Sequence, residues 1–182
     1  MKVLTDVRHR ERWLTQRMAS WDSPWVRRVL PAAEEAAEHT KLWCGAALVL
    51  GTLGGRRGRK AAAAGLASMA LAETISNAVV KPLCDRRRPP EEWFEDQEVG
   101  DRPDSSSFPS GHTAAAIGFT AGIAPVWPWA AAACAVPAVT VAAERVHSGA
   151  HYPSDVIAGA TIGLVAAGLV RTGPRFLLRH LW

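Results

Sequence analysis

Five stretches of this chain are almost free of charge, and they constrain its fold more than any other feature: residues 42–54, 61–80, 113–126, 127–143 and 153–170. The stretch 61–80, at about 20 residues, suffices to cross a hydrocarbon layer of ~30 Å as a helix. A soluble all-helical core would also give apolar runs, but it would not keep the charges so strictly between them. The pattern therefore predicts an all-α integral membrane bundle of about five transmembrane helices. Trp43, Trp127, Trp129 and Trp182 fall at segment ends, where an aromatic belt is expected. Averages hide this architecture. A chain that is 48% hydrophobic and 21% charged, with a mean hydropathy of +0.00, would pass for an ordinary soluble domain.

Residues 1–40 are polar but patterned. Val3, Val7, Leu14, Met18 and Trp21 recur at helical spacing, and Trp25, Val29 and Leu30 continue an apolar face after Ser23-Pro24. Beside a membrane domain, such a segment is expected to lie in the interface. The chain thus divides into an amphipathic interfacial segment, 1–40, and a membrane domain, 41–182. No short apolar run followed by small residues opens the sequence, so no cleavable signal peptide is expected. A net charge of +4 without a basic stripe does not indicate nucleic acid. Cys44, Cys84 and Cys134 are odd in number and have no C-x-x-C spacing, so they predict neither a disulfide framework nor a zinc site.

Three motifs carry chemistry. Lys81 is followed after six residues by Arg88-Pro89. Pro109-Ser110-Gly111-His112 opens the third apolar stretch, where backbone N–H groups at a helix start are free to face an anion. Arg145, His151 and Asp155 stand at the start of the last span, with Asp155 placed to receive the His151 Nδ1–H and leave Nε2 free as a nucleophile. Together they describe a phosphate pocket. Lys81, Arg88 and Arg145 surround the equatorial oxygens, while Ser110 and the Gly111 backbone add hydrogen bonds. His151 attacks phosphorus in line, and His112 protonates the leaving alkoxide. Three cations supply the neutralisation that Mg²⁺ supplies elsewhere, so neither metal nor other cofactor is expected.

At these residues the chain resembles the type-2 phosphatidic acid phosphatase superfamily, which includes lipid phosphate phosphatases and vanadium haloperoxidases. The resemblance covers roughly residues 40–172 and implies a phosphohistidine intermediate at His151. One position departs from it: the third motif usually begins Ser-Arg, whereas Glu144 precedes Arg145 here. A carboxylate there is placed to orient Arg145 or Lys81, and it also competes with a phosphate. The run Glu144-Arg145-Val146-His147-Ser148-Gly149 looks like that of actinobacterial members, some of which act on prenyl-linked phosphoribose.

Glu73 shares a helical face with Ser76, Asn77 and Lys81, which predicts a supporting role, such as holding a motif arginine. Arg86 and Arg87 read either as a second anion contact or as surface anchors. His147 and Tyr152 receive no chemical role. The acidic stretch 91–104 reads as a solvated loop, with a lid as the minor alternative. Small residues four apart (Ala114, Gly118, Gly122; Gly159, Gly163, Ala167) predict close packing within one bundle, with a homodimer face as the minor alternative.

These residues predict a multi-pass cell-membrane enzyme that hydrolyses a phosphomonoester or diphosphate on a lipid. Phosphatidate, phosphatidylglycerol phosphate, a polyprenyl diphosphate and a prenyl phosphosugar all suit the pocket. A vanadate-dependent haloperoxidase and a non-catalytic scaffold are the rival classes. Basic residues near the spans, phosphate ligands excluded, number six on the motif side against seven opposite, so charge does not fix sidedness. The family resemblance implies an extracytoplasmic site.

Overall fold

The computed structural model describes residues 2–94 and 105–180, and every regular element within them is helical. Helices α1 (Lys2–Ala19) and α2 (Val26–Ala37) precede the apolar bundle. The bundle consists of α3 (Lys41–Leu53), α4 (Gly55–Glu73), α5 (Gly111–Ile123), α6 (Pro128–His147) and α7 (Pro153–His180). Beyond Glu73, α4 widens into a π-helix over Thr74–Val80 and closes in a 3-10 turn, Lys81–Leu83. Local chemistry sets the helix starts. Pro128 and Pro153 stand first in α6 and α7, where a missing N–H costs nothing. Ser110 caps α5, its hydroxyl accepting the Thr113 N–H at 3.4 Å.

The protein is an all-α membrane bundle, but the expectation of about five spans is corrected by helix length. Among the described residues three helices are long and apolar enough to cross a bilayer: Gly55–Leu83, Pro128–His147 and Pro153–Gly173. Helices α3 and α5 have 13 residues each. At 1.5 Å per residue such a helix is about 20 Å long, well short of a ~30 Å hydrocarbon layer. Nine of the 13 residues of α5 are buried, so it forms the centre of the bundle, packed among α4, α6 and α7. The outside is apolar instead. Leu48, Leu53, Val136, Val139, Ile157 and Leu164 are exposed on α3, α6 and α7, a surface suited to lipid rather than water.

The small-residue stripes are consumed inside this bundle. A Cβ on Gly163 would lie 2.7 Å from the Ala114 carbonyl oxygen and from the Gly118 nitrogen, and one on Gly122 would lie 2.7 Å from the Ala64 carbonyl oxygen. Backbone therefore meets backbone where α5 crosses α4 and α7. The aromatic belt needs revision at Trp43, which is buried with its ring centroid 5.6 Å from that of Phe119. Trp129 is exposed, while the Trp127 ring lies under the Arg57 guanidinium, 5.6 Å away; Trp182 lies outside the described residues.

Helix α1 contacts α6 and α7, and α2 lies on α6. The face turned inward on α1 is polar: Thr15 is fully buried and Glu11 nearly so. Trp13 and Leu14 point outward, as do Trp21 and Trp25 beyond α1. The side chains of Val3 and Val7 fall outside the described residues, as does most of the acidic stretch, 95–104. The three cysteines are free thiols.

Candidate active site

Helices α4 and α6 end, and α5 and α7 begin, at one end of the bundle, so motifs distant in sequence meet there. A cavity of about 270 Å³ opens at this point, and its wall contains Lys81, Arg88, Gly111, His112, Arg145 and His151.

His151 is buried in the turn between α6 and α7. Its Nδ1 lies 2.6 Å from the Ser107 carbonyl oxygen. A carbonyl can only accept, so Nδ1 carries the proton and Nε2 keeps its lone pair. The backbone N–H of His151 donates to the Arg145 carbonyl at 2.9 Å, fixing the turn. Burial pushes the imidazole below its ordinary pKa, favouring the free base. The expected Nδ1–Asp155 hydrogen bond is replaced by the bond to Ser107. Asp155 Oδ2 is 3.8 Å away, close enough for electrostatics and too far for a hydrogen bond. Both Asp155 oxygens have other partners: Oδ1 accepts from Arg86 Nη1 at 2.6 Å, and Oδ2 from the Tyr152 N–H at 2.8 Å.

The three cations are held differently. Arg145 is buried between two carboxylates, Glu144 beside it and Glu34 of α2, whose Oε1 lies 2.5 Å from Nη2. Glu144 thus contacts Arg145 rather than Lys81. Arg88 donates from Nη1 to the Ala150 carbonyl at 2.6 Å and from Nη2 to the Ser105 carbonyl at 3.2 Å. Lys81 has no ion pair among the described residues, and it lines the cavity.

One expected ligand and one expected supporting residue behave otherwise. Ser110 is fully buried, and its hydroxyl is taken up by Thr113, with Oγ 3.0 Å from Thr113 Oγ1. It shapes the start of α5 and does not line the cavity. Glu73 lines the cavity with Asn77, but among the described residues it holds no motif arginine. Gly111 is required by close approach, since a Cβ there would lie 2.7 Å from Asn77 Oδ1.

Three residues, Ser107, Glu11 and Glu34, escaped the sequence reading, and Arg86 was read differently. Ser107 orients the nucleophile candidate through a backbone oxygen, which no side-chain motif can announce. Arg86, read as an anion contact or anchor, is instead spent on Asp155 and on Glu11 of α1, with Nη2 2.8 Å from Glu11 Oε2. Glu11 and Glu34 sit in the amphipathic segment, which the sequence reads only as interfacial. His147 Nε2 is 3.0 Å from the Trp21 carbonyl oxygen, tying that segment to α6 rather than facing the cavity. Among the described residues no three His, Cys, Asp or Glu side chains are grouped to hold a metal ion.

Fold and site together define the class: this multi-pass membrane chain belongs to the PAP2 superfamily, whose family model matches residues 61–178. Among curated proteins it is similar to the lipid A 1-phosphatases of two rhizobia. The Rhizobium johnstonii protein is 42% identical over 77 residues, 40% of this chain and 32% of the relative. The Rhizobium etli protein is 46% identical over 57 residues, 31% of this chain and 25% of the relative. The chain therefore spans about a third or less of the curated relatives it matches. Two crystal structures share its fold. The first transmembrane PAP2-type phosphatidylglycerolphosphate phosphatase from Bacillus subtilis superposes with a TM-score of 0.71 at 21% identity, over 94% of this chain and 88% of that one. Aquifex aeolicus LpxE superposes with a TM-score of 0.67 at 20% identity, over 87% and 93%.

Proposed function

We propose that this protein is a metal-independent membrane lipid phosphatase acting through a phosphohistidine on His151. One observation carries the reading: two histidines and three cations, spread over 71 positions from Lys81 to His151, line one cavity at the end of a lipid-facing bundle. Nε2 of His151 forms a bond to phosphorus as the bond from phosphorus to the lipid oxygen breaks. His112 gives its proton to that leaving oxygen. Water then attacks the phosphohistidine, His112 takes the water's proton, and phosphate departs as Nε2 is released. Lys81, Arg88 and Arg145 neutralise the charge that builds on the equatorial oxygens, and the N-terminal turn of α5 at Gly111 adds its dipole. Asp155 stabilises the imidazolium electrostatically, while Glu73 and Glu144 support the pocket.

A cavity at the end of membrane-crossing helices favours a phosphate carried on a lipid headgroup. We assign the substrate to the group formed by phosphatidate, phosphatidylglycerol phosphate, a polyprenyl diphosphate and a prenyl phosphosugar. The names of the rhizobial relatives add lipid A. The Glu144–Gly149 run favours the prenyl-phosphate type. The outward Trp13, Leu14, Trp21 and Trp25 support an interfacial seat for α1 and α2, and the family resemblance supports an extracytoplasmic site. The test is phosphate release from each of these five lipids by purified enzyme in the presence of EDTA, beside His151→Ala. Release from at least one lipid, undiminished by EDTA and absent in His151→Ala, is expected. Equal release by the variant would overturn the reading.

A further inference from the structure

The carboxylate pairs that reach this site come partly from a helix outside the family match, and one of them bears on the nucleophile. Glu11 is nearly buried on the inner face of α1. Its Oε2 accepts from Arg86 Nη2 at 2.8 Å, and its Oε1 accepts from the Ser154 N–H at 3.2 Å and from the Ser154 hydroxyl. Arg86 Nη1 donates at 2.6 Å both to Ser154 Oγ and to Asp155 Oδ1, and the guanidinium lies 4.5 Å from the Tyr152 ring centroid. The residue after His151 and the first turn of α7 are thus clamped between α1 and the arm carrying Arg86.

We propose that Glu11 is a positioning residue for His151, acting through Arg86, Ser154 and Asp155. This rests on the proposed role of His151 as nucleophile. Glu11, Arg86 and Asp155 together carry a net charge of one negative beside the imidazole. That charge stabilises the cation formed as Nε2 takes the phosphoryl group, while Arg86 keeps the two carboxylates from overcharging the site. Other charged or titratable groups line the same cavity: His112 from α5, Lys81 and Arg88 from the chain after α4, Arg145 from α6, Glu34 from α2, His39 from the turn between α2 and α3, and Glu73 from α4. None of these is altered in the test below, so their contribution to the imidazole is common to all variants.

Phosphate release is measured across pH 5–9 for wild type, Glu11→Gln, Glu11→Asp, Arg86→Gln and His151→Ala. The probe is dioctanoyl phosphatidate, or whichever lipid of the screen above is turned over fastest. Glu11→Gln takes the cluster from minus one to neutral, which destabilises the imidazolium and moves the acid limb of kcat/KM to lower pH. Arg86→Gln takes it to minus two and moves the limb to higher pH. Each shift is a few tenths of a pH unit or more, with kcat down about tenfold from lost orientation and KM within about twofold. Glu11→Asp, which keeps the charge, returns the limb to its wild-type position. If Glu11→Gln does not fold, Arg86→Lys compared with Arg86→Gln makes the same charge test. Glu11→Gln and Arg86→Gln limbs that coincide with wild type, or that move in the same direction, would overturn the proposal even if kcat falls. Full activity in His151→Ala would instead overturn the phosphatase mechanism on which it rests.

Discussion

Glu34 Oε1 lies 2.5 Å from Arg145 Nη2, so a carboxylate from the N-terminal segment holds one of the three cations of the cavity. A phosphate that uses this arginine must displace Glu34 or share the guanidinium with it. Glu144 grips the same side chain from within α6. Arg145 is therefore pre-positioned by acids, at a cost in anion affinity.

Removing the outer acid should expose that cost. Glu34 is about half exposed, its side chain retaining 47% of its accessible surface, so solvent screens the pair. Such pairs contribute about 0–1 kcal/mol, which corresponds to at most about a fivefold change. Glu34→Gln is expected to lower KM for the lipid phosphate by up to this factor and to leave kcat nearly unchanged. Steady-state phosphate release in mixed micelles measures both constants, and a raised KM would contradict the competition.

The two histidines should separate by leaving group. His112→Ala is expected to slow lipid hydrolysis by about 10²–10⁴-fold through loss of the general acid. The loss should be much smaller with an aryl phosphate, whose phenolate leaves without a proton. His151→Ala should abolish turnover of both. Parallel rate measurements on the two substrate types distinguish these patterns.

The acid limb has a definite sign. Burial lowers the pKa of His151 below the ordinary imidazole value of 6.5, so its protonation is postponed to lower pH. The nucleophilic free base persists through neutral and mildly acid solution and is lost as pH falls through the lowered value. The acid limb of kcat/KM should therefore lie below 6.5, the unshifted imidazole value. A limb above it, measured in constant ionic strength buffers, would contradict the burial argument.

Close approach at the start of α5 makes Gly111 intolerant of a side chain. A Cβ there would meet Asn77 Oδ1 at 2.7 Å. Gly111→Ala is expected to destabilise the bundle by about 1–3 kcal/mol, the range for an overpacked contact. Trimming the neighbour in Gly111→Ala/Asn77→Ala should recover much of that loss. Thermal unfolding in detergent reads both variants.

Much of the site was legible because its chemistry is local in the chain. Gly111 and His112 are adjacent, and Arg145 in the last turn of α6, His151 in the following turn and Asp155 at the start of α7 are close in sequence, so their spacing alone brings them together. The partner of His151 Nδ1 was not legible. Asp155 sits at the expected spacing, yet its oxygens are saturated by Arg86 and Tyr152, leaving the Ser107 carbonyl to accept. Ser110 misled for a similar reason, since its capping bond to Thr113 outranks exposure to the cavity.

The near absence of charge in five stretches determined an all-helical membrane bundle, and the placing of the three motifs at helix termini determined that they gather at one end of it. The helical pattern and the placing of each motif at a helix terminus are encoded in patterns a few residues long, which secondary structure alone brings to one face or one end. Only the tertiary structure decided how many helices can span, because that depends on where α3 and α5 stop rather than on how apolar they are. It also turned Trp43 onto Phe119 and brought Glu11 to Arg86 and Glu34 to Arg145. Those pairs are 75 and 111 positions apart in the chain, and their meeting depends on the angle at which α1 and α2 cross the bundle. No local preference of either carboxylate carries that angle; the packing of the helices does.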